Sequence, residues 1–544
     1  MLNDSPKIGK DVIESLTLGM YEDCRFIYRE YIQNSADQID RAKSVGLLEQ
    51  GEDEIFVTIN PENGTIEIED NATGIAAKDV LPILRNVAHS TKKRGENKGF
   101  RGIGRLGGLG YCSKLIFETS YEGEDVCSIM TWDADLLKSI INDRNNSEEA
   151  TEVIDKVTTI TTRNGQRDRH YFKVTLEGVK SPVLLNIEEV KNYLSMVAPV
   201  DISSNFMFRT KINNFVKEHD LHVDVYNIYV NGEQIYKPYT NYIYEDNHGG
   251  KKKVDDILDV DFFLRNDSEN KLMYWGWYSL SRLNGQMKAK NLARGIRLRK
   301  ENIQIGDEEI CKKFFANTSD QRFSFYYFGE IHAVSKDLIP NSRRDYFGEN
   351  DALSKFESLV RQDFMKLRDM CYDASGIKKS LKTIAQKEEL ESKIKHKEET
   401  GYASPNEHKD LKKQLAELQK KSDEAHRDLE KRSSKLDQNK SPLKRIIDNL
   451  VPARKNSDEE VKGLPPMYPP SSISENPDSQ NYDTTKNNDT SSKPKYITDK
   501  PIYSRFSRQE KKLIGKIFSD IEKAMPNEGM REALIKFIEE DLTK

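Results

Sequence analysis

Apolar residues recur every three or four positions over residues 11–45, which predicts a helix with one packing face. Apolar and polar residues then alternate over 54–59 and again over 65–69, with the turn sequence Pro-Glu-Asn-Gly between them. This pattern predicts a β-hairpin that ends at Asp70. Two further strands are predicted between 114 and 132, so the mixture of helices and antiparallel strands indicates an α+β sandwich.

Changes in composition along the chain predict five segments. An N-terminal α/β domain is expected over 1–215, and a second α/β domain, dense in aromatic residues, over 216–376. Leucines spaced three and four apart in a Lys/Glu-rich stretch predict a coiled-coil hairpin over 377–440, with a single solvated charged helix as the alternative. Proline and polar residues predict a disordered linker over 441–500, and two apolar stripes predict a small helical segment over 501–544.

The overall composition narrows the functional classes. The chain has 544 residues, and its formal net charge of -5 gives no general reason to expect nucleic acid as a partner. No run of about 18 apolar residues occurs, and the N-terminus has no apolar signal core, so we expect a cytoplasmic protein without a membrane partner. The five cysteines are scattered without a CxxC pair, which argues against a zinc site or a disulfide framework.

A group of polar residues repeats at helical spacing within the first predicted helix. Glu30, Asn34 and Asp37 lie at positions i, i+4 and i+7, so one helix face presents two carboxylates and an amide. A carboxylate can accept a proton from water, and an amide oxygen can bind Mg²⁺. The alternative is an ordinary solvated helix face.

The residues after the predicted hairpin form a second candidate motif. Asp70 ends the strand, and Gly74 follows it in the sequence Asp-Asn-Ala-Thr-Gly. A carboxylate in this position can accept a hydrogen bond from an exocyclic amino group such as that of adenine, while the glycine lets the backbone approach a flat ring. A simple turn after a hairpin is the alternative.

The third motif is a glycine-rich segment, with six glycines over residues 99–110. Glycines free the backbone to present N–H groups to phosphates. The segment has no GK[ST] ending and does not follow the first strand of a βαβ unit, which disfavours the Walker and Rossmann types of nucleotide site. A flexible surface loop is the alternative.

In this order, the three motifs resemble the Bergerat nucleotide fold of the GHKL superfamily, which comprises gyrase, heat-shock chaperones, histidine kinases and MutL. The likeness is to the HtpG-type heat-shock chaperones in particular. It includes Val12–Asp40, the sequence NVAHSTKK before the glycine segment, IGRLGGLGYCSKL at its end, and LLNIEEVKNYLSMVAPVDIS further on. The resemblance implies a two-layer α/β sandwich ATPase domain, followed by a transducer-like middle domain.

The resemblance also implies roles for individual residues. Glu30 would be the general base that activates water, Asn34 would hold Mg²⁺, and Asp37 would support the nucleotide or the fold nearby. Asp70 would recognise the adenine of ATP, and Gly74 would let the chain pass the base. The remaining implied ATP-binding residues belong to a mobile lid over about 88–110: Ser90, Gly102, Gly104, Gly107, Gly108 and Gly110.

A fourth likeness lies far downstream. Residues 337–345 resemble the middle-domain loop whose arginine reaches the γ-phosphate, and Arg344 aligns with that arginine better than Arg343 does. A surface pair between these arginines and Asp345 is the alternative. Other basic residues could fill the same role: Lys288, Lys290 and Arg294.

The chain departs from the family pattern in several places. Ala72 stands where a glycine is usual, and the usual Gly-Thr of the last strand is not evident between Thr162 and Val179. Beyond residue 375 no specific resemblance is found, so the dimerisation domain of the chaperones is not expected.

We therefore predict Mg²⁺-dependent ATP hydrolysis that drives a clamp acting on protein clients, and the family implies a homodimer. One alternative is a DNA-engaging clamp like those of MORC or MutL, suggested by the hairpin and by basic stretches such as Arg294–Lys300. Another alternative is a scaffold that holds nucleotide with little turnover. A histidine kinase is disfavoured because His89 lies in the predicted lid.

Overall fold

The computed structural model describes residues 8–17, 23–87, 104–143, 147–247, 250–402 and 404–450, with scattered positions between 506 and 538. The chain divides into two units, Met1–Ser472 and Ile473–Lys544, and the elements below all belong to the first. In the second unit, Ser507 and Glu510 exchange capping hydrogen bonds of the type found at helix N-termini. No helix among the described residues is long and apolar enough to cross a membrane.

The N-terminal half is built on a mixed sheet whose strand order is β5-β4-β3-β6-β2-β1-β7-β8. Its strands are β1 (Ile55–Asn60), β2 (Thr65–Asp70), β3 (Lys114–Ser120), β4 (Val126–Asp133), β5 (Thr158–Asn164), β6 (Tyr171–Glu177), β7 (Ile228–Val230) and β8 (Glu233–Gln234). Its helices are α1 (Asp11–Thr17), α2 (Phe26–Ser44), α3 (Val80–Leu84), α4 (Ala134–Asn142), α5 (Ala150–Val157), α6 (Pro182–Leu185), α7 (Ile187–Val197) and α8 (Arg209–Glu218), with 3-10 turns at Ala77–Asp79 and Gly104–Gly110.

Local sequence accounts for the elements that carry the site. The apolar residues of α2 that recur at helical spacing are buried in a core that also includes residues of β1 and β2. In the hairpin, Asn60 accepts hydrogen bonds from the main-chain N–H groups of Glu62 and Asn63, both at 3.1 Å, which stabilises the turn. The predicted hairpin is confirmed, and so is the α+β class. The predicted helix over 11–45 is instead divided into α1 and α2.

The second half of the unit is built on another sheet, with the order β13-β12-β14-β11-β10-β9. Its strands are β9 (Tyr242–Asn247), β10 (Gly250–Asn266), β11 (Leu272–Ser281), β12 (Gly295–Lys300), β13 (Ile303–Ile305) and β14 (Phe328–Ala333), with 3-10 turns at Ile310–Phe314 and Gln321–Tyr326. Two long helices follow, α9 (Asp351–Thr400) and α10 (Pro405–Gln438), and then a 3-10 segment, Pro442–Asn449.

The observed elements cross three of the predicted boundaries. The first sheet continues to Gln234, past residue 215, because β7 pairs in parallel with β1. Helix α9 runs without a break across residue 376. The linker was predicted to begin at 441, which is wrong for its first ten residues, because Leu443, Ile446 and Leu450 are buried in the core of the second sheet. The rest of the predicted linker lies outside the described residues.

Helices α9 and α10 pack against each other in opposite directions. Lys397 pairs with Glu407 near the turn, and Asp373 pairs with Arg432 and Lys435 at the far end. The coiled-coil character of this pair stays a prediction. A third apolar cluster includes residues of α8 and of β11, such as Ile212, Trp275 and Trp277, and so joins the two halves of the unit.

Candidate functional site

The polar face of α2 lies at the contact between the two halves of the unit. Glu30 is largely buried, with 11% of its side chain exposed, and its Oε1 atom has no hydrogen-bond partner among the residues that the structure describes. Asn34 follows one turn later and is half-buried, and Asp37 is buried on the next turn. A buried carboxylate oxygen without a hydrogen bond is costly unless a ligand or water satisfies it.

Arg344 reaches this carboxylate from the second half of the unit. Its Nε atom lies 3.6 Å from Glu30 Oε1, and a guanidinium nitrogen of Arg29 lies at the same distance from that oxygen. Arg29 also donates a hydrogen bond to the main-chain carbonyl of Arg343, at 3.2 Å. Burial lowers the pKa of Arg344, and the neighbouring Glu30 carboxylate opposes that effect. The structure therefore brings Arg344, rather than the Arg343 side chain, to the predicted general base.

The backbone of Arg344 is unusual. Its φ of 55° lies in the left-handed region, which few non-glycine residues adopt. The loop holds this conformation with hydrogen bonds from the Gly306 N–H to the Arg344 carbonyl (2.9 Å) and from the Arg344 N–H to the Asn341 carbonyl (3.3 Å). Backbone strain of this kind often accompanies functional sites.

Two of the three rival basic residues pair with acidic residues other than Glu30. Lys288 pairs loosely with Glu245, and Arg294 pairs with Glu309 and stacks on Phe325. Lys290 is exposed.

The described part of the glycine-rich segment packs directly on α2. A Cβ atom added to Gly104 would lie 2.4 Å from Glu30 Oε2, so a larger residue here would displace that carboxylate. Gly107 lies against Phe26 of the same helix, and the Gly108 N–H donates to the Tyr31 hydroxyl at 3.2 Å. Gly110 ends the same 3-10 turn. The segment is thus adjacent to the buried carboxylate.

Two predicted lid residues, Ser90 and Gly102, lie outside the described residues. The predicted role of the lid therefore stays a prediction.

Asp70 lies at the end of β2 and is also connected to α2. It is 1% exposed, and this burial raises its pKa to about 6. Hydrogen bonds from Ser35 and from the Ala72 main chain favour the charged form and so oppose the rise in pKa. The Ala72 N–H lies 3.1 Å from Asp70 Oδ1. Ser35 belongs to α2, so the carboxylate predicted to bind adenine is hydrogen-bonded to the same helix that carries the acidic face.

Gly74 makes the tightest backbone approach of the site. Its φ is 65°, and an added Cβ atom would lie 1.9 Å from the Ser120 carbonyl oxygen. Thr119 fixes the same turn, because its hydroxyl accepts a hydrogen bond from the Ile75 N–H and donates one to the Tyr171 carbonyl. The chain must therefore bend closely around the ends of β3 and β6.

The departures from the family pattern also lie at this end of the sheet. Ala72 is buried, and its carbonyl oxygen lies 2.7 Å from His170 Nδ1. His170 immediately precedes β6, the strand that pairs with β2 through Asp70 and Phe172. A histidine thus borders the turn in the region where the sequence lacks the usual Gly-Thr.

Several residues of the site were not singled out from the sequence: Arg29, Ser35, Arg105 and Thr119. Arg105 has a buried Nε atom without a partner among the described residues, and burial lowers its pKa to about 10. The only sequence signals that could have identified three of them are their positions. Arg29 and Ser35 are next to predicted site residues, and Arg105 is in the glycine-rich segment.

The donor set fits a magnesium ion held mainly by phosphates and water. No cluster of three histidine, cysteine or acidic side chains suited to a metal occurs in the described part of the chain. Magnesium in nucleotide sites usually needs only one or two protein oxygens. The half-buried Asn34 amide, one turn from the Glu30 oxygen that lacks a hydrogen bond, can supply one.

Comparison with known proteins gives one family and two relatives. Residues 25–164 match the family described as "Histidine kinase-, DNA gyrase B-, and HSP90-like ATPase". The chaperone protein HtpG of Buchnera aphidicola subsp. Baizongia pistaciae is 26% identical over 163 residues, which cover 26% of this chain and 26% of that protein. HtpG of Alcanivorax borkumensis is 28% identical over 135 residues, or 21% of this chain and 22% of that protein. The matches span about a quarter of the length of these relatives.

Proposed function

We propose, on the premise that this chain is a GHKL-type ATPase resembling HtpG, that it hydrolyses Mg-ATP at the polar face of α2. The family match supports ATP binding. The proposal adds the reaction, the residues that perform it, and the participation of the second half of the unit. One observation carries it: a buried carboxylate oxygen of Glu30, which has no hydrogen-bond partner among the described residues, lies 3.6 Å from Arg344, which is more than 300 residues away in sequence.

In the proposed mechanism, each residue acts by position and charge. Asp70 accepts a hydrogen bond from the adenine amino group, and Gly74 gives the base room. Asn34 would hold a magnesium ion, which would supply positive charge to the phosphate oxygens. Glu30 orients and polarises the attacking water. Arg344 stabilises the negative charge that develops on the terminal phosphate, a role that suits the fork of an arginine side chain.

The contact between Glu30 and Arg344 supports a clamp in which the two halves of the unit respond to nucleotide. A phosphate placed beside Glu30 would compete for Arg344 and so would affect how the second half is held. We propose that this movement acts on protein clients, as in a chaperone, and that the chain works as a homodimer. The name of the HtpG relatives, chaperone protein, supports action on clients, and the homodimer is what the family resemblance implies.

The structure gives less support to a DNA-engaging clamp than the sequence does. All of the basic stretch Arg294–Lys300 except its first residue lies in β12, where Arg297 and Arg299 are buried. Arg299 pairs with the buried Glu330 and is not available to phosphates of DNA. The scaffold alternative would need ATP to bind without turnover.

The substitution Glu30→Ala tests the assignment. We expect ATP binding to survive and turnover to fall about 10²–10³-fold, because the group that activates water is lost. Glu188→Ala is the matched control, since Glu188 is exposed on α7. Binding is measured by calorimetry and turnover by phosphate release. Unchanged turnover in Glu30→Ala would remove Glu30 from this role.

The use of the clamp is tested by measuring turnover of the wild-type chain with an unfolded protein and with duplex DNA. Stimulation by the unfolded protein supports chaperone-like action. Stimulation by DNA that weakens as salt rises supports the DNA clamp instead. Tight ATP binding without measurable turnover supports the scaffold.

A further inference from the structure

The strand register places Phe172 on the covered face of the first sheet, which is the face that packs against α2. Phe172 is opposite Asp70 in the pairing of β6 with β2, and opposite Thr119 in the pairing of β6 with β3. Directly opposed residues in neighbouring strands point to the same side of a sheet. Asp70 accepts a hydrogen bond from Ser35 of α2, so Phe172 and Thr119 share the side that this helix covers.

Phe172 is less completely covered than its neighbours on this face. It is partly exposed, although it also packs against the core of the first sheet. The other covered-face residues of β2, β3 and β6 are each at most 2% exposed: Ile66, Ile68, Asp70, Leu115, Phe117, Thr119, Val174 and Leu176. The helical layer therefore leaves an opening over the Phe172 ring, at the end of β2 where Asp70 lies.

Apolar contacts hold the Phe172 ring in position beside this opening. The ring stacks on that of Phe117, with the centroids 5.9 Å apart and the planes inclined by 24°. Because Phe117 is fully buried, the exposed part of Phe172 is not the part that meets Phe117. Ile75 adds apolar surface nearby, since it packs against the same core and its N–H donates to the Thr119 hydroxyl at 2.8 Å.

Asp70 supplies the hydrogen-bond acceptor next to this ring. The Thr119 hydroxyl is already committed, because it donates its hydrogen to the Tyr171 carbonyl at 2.9 Å. Asp70 accepts hydrogen bonds from Ser35 and from two main-chain N–H groups, and an ionised carboxylate can accept about four. An aromatic ring beside one carboxylate acceptor suits a flat base that carries an amino group.

We propose that Phe172 packs against the nucleotide base and gives the site a preference for purines over pyrimidines. This inference rests on the proposed ATP site, in which Asp70 and Gly74 bring the base to this end of the sheet. Asp70 alone does not make the distinction, because adenine and cytosine both carry an exocyclic amino group. A purine has the larger flat face, so contact with the phenyl ring favours it. Phe172 is thus a specificity-determining residue.

The test compares the binding of Mg-ATP and Mg-CTP to the full chain by calorimetry. The two nucleotides share the ribose and the phosphates, so the ratio of their Kd values reports the base. Wild type should bind ATP at least about tenfold more tightly than CTP. Phe172→Ala should weaken ATP binding about tenfold, as expected for a lost stacking contact, and CTP binding less than about threefold.

Phe56→Ala is the matched control. Phe56 is also a partly exposed phenylalanine of the first sheet, with 38% of its surface exposed, but it lies on the face opposite to that of Asp70. Phe56→Ala should change neither Kd. Equal weakening of ATP and CTP in Phe172→Ala indicates a structural role and contradicts the inference, as does unchanged ATP affinity. These results leave the proposed ATPase standing, whereas a wild-type chain that does not bind ATP refutes the proposed function as well.

Saturation-transfer NMR decides if Phe172→Ala does not fold, which circular dichroism reports, or if CTP binds too weakly to be measured. The sample has deuterated tyrosine, tryptophan and histidine, so that aromatic irradiation saturates phenylalanine rings. Transfer to the adenine H2 proton of bound ATP is expected in wild type. Phe172→Leu, which stays apolar, should lose most of it, and Phe56→Leu should keep it. A wild-type chain that binds ATP without transfer, or full transfer in Phe172→Leu, contradicts the contact.

Discussion

At the scale of single residues, the site depends on acidic side chains that are informative because they are buried. The same side chains exposed to solvent would indicate nothing about function. Asp70 and Glu30 are acidic residues in a chain where 32% of the residues are charged, yet both are largely buried. Burial of a carboxylate is costly, so such residues are retained mainly where a partner or a ligand uses them. The partner of Glu30 is Arg344, and that of Asp70 is Ser35.

The raised pKa of Asp70 predicts a pH-dependent stability. The folded chain holds the proton more tightly than the unfolded chain, because the pKa is about 6 against 3.8. The resulting stabilisation is full below pH 3.8 and is lost as the pH rises through 6. Asp70→Asn cannot titrate and so has no such loss. The unfolding free energy of Asp70→Asn minus that of wild type should therefore increase by about 2–3 kcal/mol between pH 4 and pH 7.5.

Urea denaturation at the two pH values measures this difference. Asp168→Asn, at an exposed position before β6, is the control and should show no such change. A difference between Asp70→Asn and wild type that is the same at both pH values would contradict the prediction.

Gly74 gives a second prediction at this scale. Gly74→Ala should lower the free energy of unfolding by about 3 kcal/mol or more, because the new Cβ atom meets the Ser120 carbonyl at 1.9 Å. Gly123→Ala is the matched control, since Gly123 also has a positive φ but nothing lies within 4 Å of its added Cβ. The control should lose only about 1–2 kcal/mol. Equal losses would show that the close approach does not matter.

At the scale of elements, long helices and short buried segments explain why the predicted boundaries shifted. Helix α9 runs for 50 residues because its first half buries Phe356, Val360 and Phe364 against the second sheet, while its second half faces α10. One continuous helix therefore serves two packing environments. The segment Pro442–Asn449 returns to the same core after α10.

Ile446 tests whether this returning segment contributes to stability. It is 2% exposed, so Ile446→Ala should lower the free energy of unfolding by about 2–5 kcal/mol, through lost burial and the cavity left behind. Ile160→Ala, on β5, is the control because Ile160 is 40% exposed. Urea denaturation followed by circular dichroism measures both. A cost for Ile446→Ala no larger than that of the control would mean that the segment is not part of the core.

At the scale of the whole unit, the proposed reaction needs residues from both halves. Arg344 belongs to a loop after the second sheet, and Glu30 belongs to the helix that packs on the first. The third apolar cluster and the hydrogen bond from Arg299 to the Met196 main-chain carbonyl hold the same two halves together at another place. Hydrolysis and the relative position of the halves should therefore be coupled.

The two neighbouring arginines provide a sharp test of this coupling. Arg344→Ala should reduce ATP turnover about 10²–10³-fold with little effect on ATP binding, because the charge beside Glu30 is lost. Arg343→Ala should be close to wild type, since the Arg343 side chain is exposed and its contact with Arg29 uses the main-chain carbonyl, which alanine keeps. Phosphate release and calorimetry measure both variants. The reverse pattern would assign the role to Arg343.

The sequence by itself determined the local features of the site. The spacing of Glu30, Asn34 and Asp37 places them on one helix face, and the alternation before Asp70 predicts the hairpin that the structure contains, because helix and strand periods are local properties. The order of the motifs was enough to predict the ATPase family. None of this required knowledge of distant contacts.

Only the tertiary structure decided which distant residues meet. The meeting of Arg344 with Glu30, the pairing of β7 with β1, and the burial of the basic stretch in β12 all join segments far apart in the chain. No periodicity encodes such contacts, because they depend on how whole elements pack.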